Sequence, residues 1–108
     1  MPSLINAAAL GLQFRPNMGI EPKVAARLNP LFPRFQTWNL PGTDARYMGV
    51  TCDHPKYPDA REIRVSYRIG YRHEWLMAQR GQEWALRRVE LLIRLLLKRL
   101  AREVAKAE

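Results

Sequence analysis

The sequence predicts an α+β fold, mainly helical, with an extended arm rich in aromatic residues and proline, a short β-hairpin and a long C-terminal amphipathic helix. Three observations predict it. Ile63, Val65, Tyr67, Ile69 and Tyr71 alternate with Glu62, Arg64, Ser66, Arg68 and Arg72, broken only by Gly70, which is the period of a strand with one apolar and one basic face. Val89, Leu92, Ile93, Leu96, Leu97, Leu100 and Val104 recur at 100° per residue as the apolar stripe of a helix spanning residues 83–108. Between residues 29 and 59, Pro30, Pro33, Pro41, Pro55 and Pro58 are interleaved with Leu31, Phe32, Phe35, Trp38, Leu40, Tyr47 and Tyr57.

Taken in chain order, residues 3–10 suit a short helix capped by Ser3 and stopped by Gly11, too brief to stand without docking. A second short helix fits residues 22–28, with Pro22 in its first turn and Pro30 ending it. The proline density of residues 29–59 forbids a long helix or a central strand, while the aromatics argue against a solvated linker. That combination reads as an extended arm held on another surface by its large side chains, or as an irregular lid over the chain's own C-terminal helix. The strand at residues 62–71 has its nearest partner in residues 47–52, across a loop of residues 53–60. Asp59 and Glu62 have capping-box spacing and would start a helix instead, but a period of two over five apolar positions is the stronger signal. A helix begins near His73 or Glu74 and kinks or restarts around Gly81. Residues 1–59 are thus an arm with short helices and residues 60–108 a strand plus a long helix, in one small domain overall.

The long helix carries more apolar surface than one core can use. Trp84, Leu91 and Leu95 form a second seam nearly opposite the main stripe, and leaving large side chains in water forgoes about 1.5–3 kcal/mol each. These three, with Phe32, Phe35 and Trp38 of the arm, are the candidate contacts with protein neighbours. A formal charge of +8 accompanies them. Residues 1–71 hold nine Lys and Arg against five Asp and Glu, and residues 72–108 hold the same numbers, so the charge is spread along the chain rather than gathered in a tail. Arg64, Arg68 and Arg72 project from one face of the expected strand, and Arg94, Lys98, Arg102 and Lys106 form a ridge along the helix. Two such rows could meet two runs of phosphate, with Trp38, Tyr47, Tyr67 and Tyr71 available for stacking.

Motifs for catalysis are lacking. Cys52 and His54 lie two apart, a spacing that can set a thiol beside its base, but no third group orients them, and Cys52 reads as a small buried apolar residue. One cysteine and two histidines, His54 and His73, cannot complete a structural zinc set, and neither a phosphate-loop nor a dinucleotide fingerprint occurs. No cofactor and no metal are expected. Gly42, Thr43 and Asp44 after Pro41 read as a turn, and Asp44, Asp53, Asp59 and Glu62 as solvated turn-formers. A lone cysteine fits a reducing compartment; no apolar run reaches the roughly 18 residues of a membrane span; and the start lacks the basic region of a secretory signal and reads as uncleaved.

The expectation is a non-catalytic structural subunit of a large intracellular assembly, contacting RNA and neighbouring proteins. A ribonucleoprotein such as the mitochondrial ribosome best joins the arm to the spread charge. The alternative is a peripheral accessory subunit of a membrane-bound, respiratory-type complex, touching the membrane only through its partners and better matched to the 47% hydrophobic content.

Overall fold

The computed structural model describes residues 20–108. The expected helix at residues 3–10 lies outside them. Helix α1 (Pro22–Leu28) runs into a 3-10 turn at Asn29–Leu31, and three antiparallel strands follow, β1 (Arg34–Asn39), β2 (Ala45–Asp53) and β3 (Glu62–Tyr71), in the spatial order β1-β2-β3. Helix α2 (Arg72–Gln79) continues directly from β3, and α3 (Glu83–Ala107) closes the fold. The architecture is mixed α+β rather than mainly helical, because the sheet is larger than a hairpin.

That enlargement corrects the extended arm. Residues 47–52 pair with β3 as expected, within the longer central strand β2, whereas residues 34–39, expected in the arm, are an edge strand of the protein's own sheet. Each of the five prolines falls outside the strands: Pro30 in the 3-10 turn, Pro33 just before β1, Pro41 in the β1–β2 turn, and Pro55 and Pro58 in the β2–β3 loop. Proline lacks the amide hydrogen that a ladder needs, so it punctuates the sheet where strands end. The β1–β2 connection shows this directly. Pro41 and Gly42 occupy the centre of a turn closed by Thr43 N–H donating to Leu40 O at 3.1 Å, and Gly42 takes φ +77°, as the third residue of a type II turn must.

One face of the sheet packs on α3. Met48, Val50 and Cys52 from β2 and Val65 and Ile69 from β3 meet Leu86, Val89, Ile93, Leu96, Leu97, Leu100 and Val104, all buried. The seven helix residues keep to one stripe, matching the period read from the sequence. Phe35, expected as a contact for another protein, packs from β1 against this core and is half-buried. Trp75 and Ala78 of α2 join it from the end of the sheet. Between α2 and α3 the chain turns at Gly81, whose φ of +80° only glycine adopts without strain.

Arg46 fastens that end. From β2 its guanidinium donates to Thr37 Oγ1 at 2.6 Å and Asn39 Oδ1 at 3.0 Å on β1 and lies 5.1 Å from the Trp75 ring centroid. Burial, then the nearby charge of Arg72, lowers its pKa below the ordinary guanidinium value. Arg46 is thus a structural cation joining β1, β2 and α2.

Candidate nucleic-acid interface

The sheet face turned away from α3 is not covered by any described helix. Strand register places three rows of side chains across it: Arg34, Thr51 and Arg64; Gln36, Gly49 and Ser66; and Trp38, Tyr47 and Arg68. The alternation that buries Met48, Val50 and Cys52 forces Tyr47, Gly49 and Thr51 outward. Gly49 leaves the middle of the platform low, and the Trp38 ring occupies the space. A Cβ built at position 49 would lie 3.1 Å from two carbons of that ring. Trp38 also stacks on its cross-strand neighbour Tyr47, with centroids 6.0 Å apart and planes at 13°.

A register shift extends the aromatic band. Tyr47 pairs with Arg68 but Arg46 pairs with Gly70, so Ile69 is an extra residue on β3. Strict alternation would have put Tyr71 on the apolar face with Ile69. The bulge instead sets Tyr71 opposite Ala45, exposed, with the Arg68 guanidinium 4.8 Å from its ring centroid. Gly70 makes the shift possible at φ +118°, and the Glu74 carboxylate fills the place where a side chain would stand. Arg72, expected in line with Arg64 and Arg68, is the first residue of α2, its N–H donating to Asp44 O at 2.8 Å. Only Arg64 and Arg68 of that trio share the open face.

The face has a neutral end and a basic end. Arg34 Nη1 and Nη2 meet Asp53 at 3.1 Å and Glu62 at 3.2 Å, so two carboxylates expected to be solvated turn-formers are cross-strand partners instead. Arg64 Nε donates to Thr51 Oγ1 at 3.2 Å, which gives the one buried polar side chain of the described residues a partner and leaves the rest of the guanidinium outward. Among the described ion pairs none uses Arg64 or Arg68, and both side chains are exposed.

The helical ridge is elsewhere. Arg94, Lys98, Arg102 and Lys106 project from α3, away from the open sheet face, so the two basic rows do not form one surface. Lys98 pairs with Glu21 at 3.2 Å and Lys106 with Glu103 at 3.3 Å. Trp84, Leu91 and Leu95 are about half exposed on the outer side of α3, and Phe32, left-handed at φ 52° after the 3-10 turn, is exposed at the other end of the chain. The sequence offers Trp38 both as a protein contact and, with Tyr47, Tyr67 and Tyr71, for stacking; Tyr67 packs against the core instead, and the pairing of Trp38 with Tyr47 and Arg68 follows only from strand register. The alternation of Tyr47, Gly49 and Thr51 about Met48 and Val50 was the signal that could have put Tyr47 on the open face.

Elsewhere the chemistry is quiet. Cys52 is fully buried, and burial pushes its thiol up to about 11, Arg34 opposing and Asp53 reinforcing the shift. His54 Nδ1 accepts from the Lys56 N–H at 3.0 Å and the Tyr57 N–H at 3.2 Å, which occupies it with the loop. Among the described residues no three His, Cys, Asp or Glu side chains converge as a metal site, and no helix is long and apolar enough to cross a membrane. The chain matches no family model, no curated protein and no solved structure.

Proposed function

We propose that the open sheet face binds single-stranded RNA and that the chain is a non-catalytic structural subunit of a ribonucleoprotein, of which a mitochondrial ribosome is one fitting case. The observation that carries this reading is the band of Trp38, Tyr47, Arg68 and Tyr71 crossing all three strands. Unpaired bases stack on aromatic and guanidinium planes, and a sheet presents such planes at fixed spacing without reorganisation. Arg64 and Arg68, exposed on the same face, supply charge for phosphate.

Anisotropy of a fluorescein-labelled oligouridylate, titrated at several salt concentrations, tests it. Stacking on one aromatic is worth about 1–3 kcal/mol, so Trp38→Ala should weaken binding by roughly 5- to 150-fold. Replacing Arg64 and Arg68 by Gln should lower the salt slope by about 0.7 for each phosphate that is no longer neutralised. Absence of binding at low salt, or binding indifferent to Trp38→Ala, refutes the reading.

A further inference from the structure

A groove runs between α1 and the outer side of α3, and its floor is apolar while its rim is cationic. One part is a cavity of about 520 Å³ lined by Val24 and Arg27 of α1, Tyr67 of β3, and Leu95, Lys98, Ala101, Arg102 and Ala105 of α3. A second part, about 180 Å³, continues it past Leu91 and Arg94 and shares Val24, Leu95 and Lys98 with the first. Together they follow α3 over residues 91–105, roughly 21 Å at 1.5 Å per residue, the length of a four-turn helix. A row of small and branched side chains along that length is the form of site into which an amphipathic helix lays its apolar face.

Charge narrows the occupant. Two rim cations already face carboxylates from this chain: Lys98 meets Glu21 at 3.2 Å and Arg27 meets Glu108 at 3.1 Å. Both pairs are exposed at the ends of α1. Arg94 and Arg102 take part in no ion pair among the described residues. A second copy of the chain would bring its own basic α3 against this rim, and residues 1–19 contain no Asp or Glu to answer it. A nucleic acid would satisfy the rim but leave Val24, Leu95 and Leu91 against phosphate.

We infer that the α1–α3 groove docks an acidic amphipathic helix of a partner protein, its leucine-like face on Leu91, Leu95 and Val24 and its carboxylates on Arg94, Lys98 and Arg102. This surface is separate from the open face of the sheet and independent of the RNA reading. The partner's carboxylates compete with Glu21 and Glu108 for Lys98 and Arg27, so the two internal pairs act as placeholders.

The probe is a capped, fluorescein-labelled synthetic peptide of 15 residues, with leucines at helical spacing and glutamates elsewhere, and a control in which lysines replace the glutamates. The acidic peptide should bind at least tenfold more tightly than the basic one. Leu95→Gln should weaken it tenfold or more. Ala105→Trp, at an exposed position that fills the groove, should do the same while circular dichroism and oligouridylate affinity stay unchanged. Replacing Glu21 and Glu108 together by Gln should tighten it several-fold, and Asp59→Asn, a distant charge, should not. Equal binding of the two peptides, indifference to both groove variants, an equal gain from Asp59→Asn, or loss of oligouridylate affinity in folded Leu95→Gln overturns the proposal. So does sedimentation of the free chain as a dimer that Leu95→Gln dissociates, since the groove would then belong to a second copy.

Discussion

The open face of the sheet and the outer face of α3 are both built from arginines beside large apolar side chains, yet the cross-strand stacking is confined to the sheet. Trp38 is set by Gly49 beneath it and Tyr47 beside it, and Arg68 by the Tyr71 ring. On α3, Trp84, Leu91 and Leu95 stand about half exposed along one side of a cylinder, with long basic side chains around them. Cross-strand neighbours lie about 4.5–5.5 Å apart at Cβ and come from different parts of the chain, so a sheet can preorganise a surface from scattered residues. Neighbours on a helix lie three or four positions apart, and with only the short α1 beside part of the row they stay half solvated. Composition alone does not separate large side chains held against one another from large side chains left half in water.

The largest expected effect separates the two faces of α3. Leu97, fully buried, and Leu95, on the outer side, are two residues apart. Leu97→Ala should cost about 2–5 kcal/mol in urea denaturation and Leu95→Ala less than about 0.5 kcal/mol. A cost above about 2 kcal/mol for Leu95→Ala would place that seam in the core.

A smaller effect reports on the layer beneath the sheet face. The Cys52 thiol is raised to about 11 in the folded protein from an ordinary value of 9.0, so the folded state holds its proton more tightly. Its contribution is therefore complete below pH 9 and is lost as pH rises through 11, on the order of 2–3 kcal/mol in all. Stability measured by urea denaturation should fall over that window and fall less in Cys52→Ala. Below it, a thiol reagent should label the native protein only at the rate of unfolding. Rapid labelling at neutral pH would contradict the burial.

The smallest effect compares charges. Arg34 bridges two carboxylates across three strands, whereas Arg87 meets Glu83 one turn away at 3.1 Å. Arg34→Gln should cost up to about 1 kcal/mol, screened by salt, and Arg87→Gln about 0.3–0.5 kcal/mol. Equal costs would mean that the sheet face gains nothing from its cross-strand pairing.

Much of the framework was legible because its signals are local. The alternation of β3, the stripe of α3, the break at Gly81 and the short helix at Pro22–Leu28 each depend on residues a few positions apart, and each occurs where periodicity or turn chemistry puts it. Strand β1 was not legible. Its six residues, Arg34–Asn39, are too few to show a period, and the prolines on either side read as an arm; its pairing with β2 is a contact that local sequence does not encode. Arg72 was misplaced because nothing in its neighbourhood says that the strand ends one residue earlier.

The sequence by itself determined which segments extend, which coil, where the chain turns, and that basic and apolar residues would share its surfaces. Only the tertiary structure decided that Trp38, Tyr47, Arg68 and Tyr71 stand in one band, that Arg34 faces Asp53 and Glu62, and that Val24 of α1 and Leu95 of α3 wall a common groove. The division has a physical cause. Local periodicity sets which way a side chain points along its own element, but its neighbours across elements follow from register, and a single extra residue at Ile69 carries Tyr71 from the expected apolar face to the open one.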